Sequence, residues 1–245
     1  MRFLPFSTRN TREIVRDPIS AVFGIGLPVA LLLLITMVND SIGAGGGPDI
    51  FRIERFTPGI AMFSMSFLSL FGGILIAGDR GRSFLLRLFS SPMRIRDYML
   101  GYSLPLVLLA LLQITACFCT ALALGLELSF GILLSTLALL PCAVLFIGLG
   151  LLFGSLLSEK QAGPISSIVV QVAALSSGMW FDLDMIGGVF KTVCEALPFV
   201  HAVSMAQGAL IGNFSGFWKN IIWVSGYATV FFVLAAIVFK KRMKN

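Results

Sequence analysis

The sequence predicts an all-α polytopic membrane protein with six transmembrane helices. Of its 245 residues, 57% are hydrophobic and only 12% are charged, whereas about 25% are charged in an average soluble domain. So few charges cannot cover a water-facing surface, and a disordered chain would be polar and highly charged. Because a spanning helix needs about 20 apolar residues, a chain of this length can hold six spans with short connections.

Six apolar segments have the length and composition of membrane spans. They are Ile19 to Val38, Thr57 to Gly78, Tyr98 to Leu124, Phe130 to Leu157, Gly163 to Phe181 and Ile221 to Phe239. The first would rise about 30 Å as a helix, which matches the hydrocarbon core of a bilayer. Gly24 and Pro28 lie inside it, and such residues are tolerated in membrane helices, where they permit kinks or close packing.

Basic residues are concentrated on one side of these six spans. That side holds 14 Lys and Arg residues, in residues 1–18, 79–97, Lys160 and residues 240–245, against four on the other side. Cytoplasmic connections of membrane proteins carry an excess of Lys and Arg. The asymmetry therefore predicts that both termini are cytoplasmic, with residues 240–245 forming a basic cytoplasmic tail, and that the Asp40 to Phe56 connection is external.

The segment before the first span carries a basic stripe. Arg9, Arg12 and Arg16 follow an i, i+3, i+7 spacing, which places side chains on one face of a helix. Residues 1–18 are therefore predicted to form an interfacial helix along the inner leaflet, ended by Asp17-Pro18. The alternative is a disordered basic tail that only fixes the topology.

A short amphipathic helix is predicted between the second and third spans, within residues 79–97. Leu85, Leu88 and Phe89 fall at i, i+3, i+4 and form an apolar face, and Ser91-Pro92 should end the helix. The helix could lie on the lipid surface. The sharper hypothesis is that it docks onto a cytoplasmic protein.

The same segment resembles the cytoplasmic signature of ABC-2 type permeases, the membrane subunits of ATP-binding-cassette exporters. Asp79-Arg80 stand at its acidic-basic pair, Phe84-Leu85 and Leu88 at its next elements, and Pro92 at the closing proline. Two further stretches are similar to the family. They are Ser177 to Phe181 at the end of the fifth span and Leu197-Pro198-Phe199 before the last span.

This resemblance implies a fold and a set of partners. It implies an assembly of two permease subunits, identical or related, and two ATPase subunits in the plasma membrane of a prokaryote. It also implies a transmembrane domain over residues 19–239, with partly re-entrant external helices in residues 182–219. Besides membrane lipids, we expect these subunits as partners and no nucleic acid. The residues implied in ATPase coupling are Asp79, Arg80, Phe84, Leu85, Arg87, Leu88, Phe89 and Pro92.

The energy source can be predicted from the residues alone. A carrier driven by protons or sodium usually places an ionisable residue inside a span, and the apolar cores contain no Asp, Glu, Lys or Arg. The sequence also lacks the G-x-x-x-x-G-K-[ST] phosphate loop of an ATPase. We therefore expect no enzyme activity, catalytic residue, metal site or cofactor in this chain, with ATP and Mg bound by the partner subunit.

A stripe of small and polar residues marks the candidate translocation path or dimer seam. Ser167, Gln171 and Gly178 fall along one face of the fifth span, and Gly24 and Pro28 can open the first helix. The alternative is that this stripe packs against helices of its own subunit. Gln113 in the third span is a weaker candidate of the same kind. Gly150 and Gly154 form a G-x-x-x-G pair, which favours close helix packing within the subunit.

The favoured function is therefore export of an amphipathic drug, peptide or lipid-like substrate. A permease for a polysaccharide or lipid-linked glycan shares the architecture, and a non-transporting scaffold or immunity factor needs no site that a sequence could show. An enzyme acting on lipids would need a polar catalytic cluster at membrane depth, and the sequence offers none.

Overall fold

A computed structural model describes residues 3–42, 47–81 and 94–242, and its regular elements are helices throughout these ranges. In chain order they are α1 (Phe3–Arg16), α2 (Pro18–Ala21), a π-helical turn (Val22–Gly26), α3 (Leu27–Ser41), a 3-10 turn (Asp49–Phe51), α4 (Ile53–Gly81), α5 (Ile95–Ala123), α6 (Phe130–Leu156), α7 (Glu159–Ser176), α8 (Leu183–Ile186), α9 (Gly188–Ala196), α10 (Pro198–Ile211) and α11 (Phe217–Arg242).

Five helices in the described part are long and apolar enough to cross a membrane. They are Val22–Ser41, α4, α5, α6 and Phe217–Lys241. A sixth span is possible if α9 and α10, which meet at a 78° bend, form one broken span. This differs from the expected set, because α7 covers most of the predicted fifth span but is not among the five. Glu159, Lys160 and Gln161 occupy its first turn and lower its mean hydropathy.

The central helix of the bundle is α4. In its most apolar 18-residue window 89% of residues are buried, against 22% for Val22–Ser41 and 17% for Phe217–Lys241. It packs against α5, α6, α7 and α10. The α4 contact with α6 is close enough to need glycine, since a Cβ at Gly154 would lie 2.6 Å from Ile76 Cβ, and one at Gly150 would lie 3.1 Å from the Leu68 carbonyl oxygen. The predicted packing of this pair within the subunit is confirmed.

Several helix ends meet at one end of the bundle, which we call the basic end. The Tyr98 ring at the start of α5 lies 6.4 Å from that of Phe6 in α1 and 6.0 Å from that of Phe239 near the end of α11. The last residues of α4 and α6 and the first residues of α7 lie there too, because Arg80 contacts Ser155 and a Cβ at Gly81 would lie 3.1 Å from Glu159 Oε2. The helix ends that flank the connections rich in Lys and Arg are thus gathered at one end.

Candidate functional site

A buried carboxylate, Asp79, lies two residues before the end of α4 at the basic end. Arg9 of α1 donates to it through both guanidinium nitrogens, from Nη1 to Oδ2 at 2.6 Å and from Nη2 to Oδ1 at 2.7 Å. The Tyr102 hydroxyl of α5 donates to Oδ2 at 2.9 Å. Asp79 therefore joins three helices through three hydrogen bonds.

Burial explains why this carboxylate has so many partners. The Asp79 side chain is 1% exposed, and an ionised group removed from water is unfavourable unless it is paired and hydrogen-bonded. The planar fork of an arginine matches the two oxygens of a carboxylate. Arg9, whose side chain is 35% exposed, also pairs with Glu13 at 2.8 Å. The hydrogen bond to Asp79 raises the pKa of Arg9 above its ordinary value, although burial opposes this rise.

Helix α1 is fixed on α5 by apolar packing next to this ion pair. The Phe6 ring meets that of Tyr102 edge-on, with 4.8 Å between ring centroids. It lies directly over Gly101, where a Cβ would be 2.2 Å from Phe6 Cδ1. The wholly buried Asn10 donates from Nδ2 to the Gly101 carbonyl oxygen at 3.1 Å. Only a glycine at position 101 allows α1 to approach this closely.

The next residue, Arg80, binds the end of α6, whereas Asp79 binds α1 and α5. Its Nη1 donates to the carbonyl oxygen of Ser155 and its Nη2 to that of Leu157, both at the end of α6. The last carbonyls of a helix lack partners within the helix and carry partial negative charge, so a guanidinium there is favourable. Asp79 and Arg80 together link the end of α4 to α1, α5 and α6, and we call these two residues with Arg9 and Tyr102 the anchor cluster.

Two of the eight predicted coupling residues, Asp79 and Arg80, lie in the described part of the chain, and both bind other residues of the same subunit. The other six, Phe84, Leu85, Arg87, Leu88, Phe89 and Pro92, lie outside the described residues. Their docking to an ATPase, and that of Asp79 and Arg80, remains a prediction. The sequence did not reveal Arg9 and Tyr102 as partners of Asp79, because they lie 70 and 23 residues from it along the chain.

The predicted path residues fall into two groups. Ser167 and Gln171 are exposed on α7, so the alternative of packing within the subunit does not describe them. Gly24 and Pro28 are instead buried inside the subunit. Gly178 is half-buried, and its φ of +74°, a conformation that favours glycine, turns the chain after α7 towards Leu183. Whether either group lines a path or a seam remains a prediction.

At the end opposite the basic end, His201 has a local structural role. Its ring nitrogens lie 2.8 Å from the Asn220 side-chain oxygen and 2.8 Å from the Glu195 carbonyl oxygen, which links α9, α10 and α11. The Tyr227 hydroxyl donates to the neighbouring Ala196 carbonyl oxygen at 2.9 Å. The bend between α9 and α10 is thereby fixed against α11.

A cavity of about 920 Å³ opens beside this bend. The 3-10 turn, the chain after α7, and α8 to α10 enclose it, and its walls include Trp180, Phe181 and Arg55. Two acidic residues on its rim have partners in the protein, because Asp182 accepts a hydrogen bond from the Asp184 backbone N–H at 2.9 Å and Asp184 pairs with Lys191 at 2.5 Å.

Comparisons with known proteins give two findings. The model of the family described as "ABC-2 type transporter" matches residues 3–211, which run from α1 to the end of α10. A protein of Bacillus subtilis (strain 168) named "Putative transport permease YvfS" is 28% identical over 81 residues. That match covers 33% of this chain and 33% of the relative, so the chain matches about a third of its relative's length.

Proposed function

The chain belongs to the ABC-2 type transporter family, and from this premise we propose that it is the permease subunit of an ATP-driven exporter. The resemblance found in the sequence is confirmed by the match over residues 3–211. Membrane subunits of this family work with separate ABC ATPases and are generally not ATPases themselves. The ATP and Mg²⁺ of the proposed complex would be bound by those partners, consistent with the missing phosphate loop in this sequence.

The observation that carries this proposal is the anchor cluster at the end of α4. The chain leaves α4 at Gly81 and enters residues 82–93, which contain the proposed ATPase-docking face. A force on that segment would reach α4 directly along the chain. The two-pronged ion pair with Arg9 and the contacts of Arg80 with α6 would then pass it to α1, α5 and α6. Such contacts suit a subunit that converts movements of a cytoplasmic ATPase into movements of spans.

The proposed assembly has two permease subunits and two ATPases in the plasma membrane of a prokaryote, with both termini cytoplasmic. The exposed Gln171 supports a second subunit, because an amide facing lipid at membrane depth is unfavourable. A facing subunit, or a hydrated route between the subunits, would give it partners. The predicted path residues carry no charge, which favours an amphipathic drug, peptide or lipid-like substrate over a sugar.

Reconstitution tests this function against a scaffold or immunity role. The chain is purified in mild detergent, bound proteins are identified, and the complex is placed in vesicles with a fluorescent amphipathic cation. An exporter should co-purify with an ABC ATPase and should move the dye only when ATP and Mg²⁺ are supplied. A control complex, whose ATPase subunit cannot hydrolyse ATP, should leave the dye in place. A chain that purifies without any ATPase would contradict the proposal.

A further inference from the structure

The middle of α5 contains a buried amide without hydrogen-bond partners. Gln113 is wholly buried, and neither its Nε2 nor its Oε1 has a partner among the described residues. Other unpartnered side chains in the bundle include serine hydroxyls such as Ser166 and Ser135. A hydroxyl can turn towards a carbonyl of its own helix, whereas an amide has two donors and a carbonyl to satisfy. Gln113 is therefore the buried polar group hardest to accommodate in this conformation.

The Gln113 amide lies against the π-helical turn of the first span. A Cβ at Gly24, in the middle of that turn, would be 3.0 Å from Gln113 Nε2 and 3.0 Å from Phe71 Cε2. The turn is closed by a wide hydrogen bond from the Leu27 N–H to the Val22 carbonyl oxygen. A π-helical turn holds one extra residue within an α-helix, and such turns occur frequently at functional sites. An unpaired amide thus faces the part of the backbone that departs from regular α-helical bonding.

The unpaired Gln113 amide and the irregular hydrogen bonding of the π-helical turn thus lie next to each other. A buried amide without partners loses its hydrogen bonds to water and gains none in return. A helix with one extra residue has two neighbouring registers, since the wide turn can sit one residue earlier or later. A shift of the turn rotates the backbone carbonyls that face α5, and it thereby changes what Gln113 can reach.

We propose that Gln113 is a positioning residue for the first span, and that its amide hydrogen-bonds the backbone of the π-helical turn in a second conformation of the transporter. In that conformation the wide turn has moved along the helix, and a carbonyl oxygen near Gly24 accepts from Gln113 Nε2. Its place in a transport cycle rests on the proposed function. The first span is sparsely packed against its own subunit, because 22% of its most apolar window is buried there.

Replacing the amide by an apolar side chain of similar size separates this role from a merely structural one. The variant Gln113→Leu removes a desolvated polar group from the present conformation and removes a hydrogen bond from the second one. We expect the Tm of the purified permease to rise by roughly 2–4 °C. We expect ATP-driven transport to fall by about tenfold, the effect of one lost buried hydrogen bond. Gln113→Met is the second variant if branching at position 113 disturbs folding.

The control for this pair of measurements is Thr115→Val. Thr115 is exposed on α5, and its hydroxyl donates to the Leu111 carbonyl oxygen of the same helix. This variant should change neither Tm nor transport. If Gln113 had only a structural role, its substitution would lower both the Tm and transport, and that result would overturn the proposal. A higher Tm with unchanged transport also overturns it.

Hydrogen exchange reports on the backbone hydrogen bonds of the turn. Amide exchange of residues 20–30 is followed by mass spectrometry in the wild-type complex, with and without a non-hydrolysable ATP analogue. We expect the analogue to change exchange in the wild type and to have no effect on it in Gln113→Leu. A wild-type complex that fails to transport would contradict the proposed function. The Tm of the isolated permease can be measured without an ATPase partner, so the sign of its change in Gln113→Leu still tests the role of Gln113.

Discussion

The guanidinium of Arg9 and the carboxylate of Asp79 form a two-pronged ion pair, with nitrogen–oxygen distances of 2.6 and 2.7 Å. The pair joins the first helix of the chain to the end of the central span. Asp79 was predicted as an element of ATPase docking, and in the structure its side chain is turned into the subunit. Because residues 82–93 follow Asp79 closely along the chain, we propose that Asp79 links that segment mechanically to the rest of the bundle.

Loss of the Arg9 side chain should destabilise the permease. Arg9→Leu leaves the buried Asp79 with the hydrogen bond from the Tyr102 hydroxyl, and breaking a fully buried pair costs about 3–5 kcal/mol. We expect about 1–3 kcal/mol, because Arg9 is 35% exposed and its charge is partly screened. The Tm of the purified protein measures this change. Arg12→Leu, an exposed arginine of the same helix, is the control, and an equal loss there would contradict the assignment.

The charge-exchanged double variant provides a separate check of the same pair. Arg9→Asp and Asp79→Arg should each lower the Tm by several degrees, because each leaves like charges together at the end of α4. The double variant Arg9→Asp/Asp79→Arg should recover part of this loss. Strictly additive losses would mean that the two side chains do not interact in the membrane.

The close approach of α1 to α5 should depend on glycine at position 101. In Gly101→Ala the new methyl group meets the Phe6 ring, whose Cδ1 lies 2.2 Å from the Cβ position. We expect α1 to detach and residues 1–16 to become sensitive to protease. Leu100→Ala, an exposed neighbour, should leave the helix protected. Protection that persists in Gly101→Ala would show that α1 docks in another way.

An acidic residue in the predicted docking face should disrupt the contact between the permease and its ATPase. Leu88→Asp places a charge where the amphipathic pattern of residues 79–97 requires an apolar anchor. We expect transport and stimulated ATPase activity to be lost while membrane insertion is retained. Leu88→Ile keeps the volume and should remain active. Full activity of Leu88→Asp would count decisively against docking here.

A cysteine at position 171 should cross-link two permease subunits. Gln171 is exposed on α7 and would find polar partners in a facing subunit. We expect a bifunctional thiol reagent to give a dimer of Gln171→Cys on a denaturing gel, or substrate to protect this position. Val170→Cys is the control, because Val170 is buried in the same helix. Neither cross-linking nor protection at position 171 in an active transporter would place the seam elsewhere.

The orientation predicted from the basic residues can be measured by labelling. Ser90→Cys lies in the segment predicted to be cytoplasmic, on the side with 14 of the 18 Lys and Arg residues. A membrane-impermeant thiol reagent added outside intact cells should not label it. The same reagent should label Ser41→Cys, which lies at the other end of the first span. Labelling of Ser90→Cys from outside would reverse the topology.

The sequence by itself determined the class of the protein, most of its spans and the side on which its basic connections lie. These properties depend on local composition, because a bilayer requires about 20 consecutive apolar residues from each spanning helix and charges remain outside. The same local signal predicts a fifth span over residues 163–181, and the structure does not confirm it. The polar first turn of α7 lowers its mean hydropathy, whereas the apolar residues of the bent α9 and α10 pair pass the same test together.

Only the tertiary structure decided which residues meet. The contact of Arg9 with Asp79 joins residues 70 apart, and its formation depends on how α1, α4 and α5 are rotated about their axes. For the same reason the packing of Gly24 against Gln113 inside the subunit could not be read from the sequence. Hydropathy shows that a helix crosses the membrane, but the direction in which each side chain points is set by close packing between helices. The anchor cluster and the π-helical turn therefore became visible only in the folded chain.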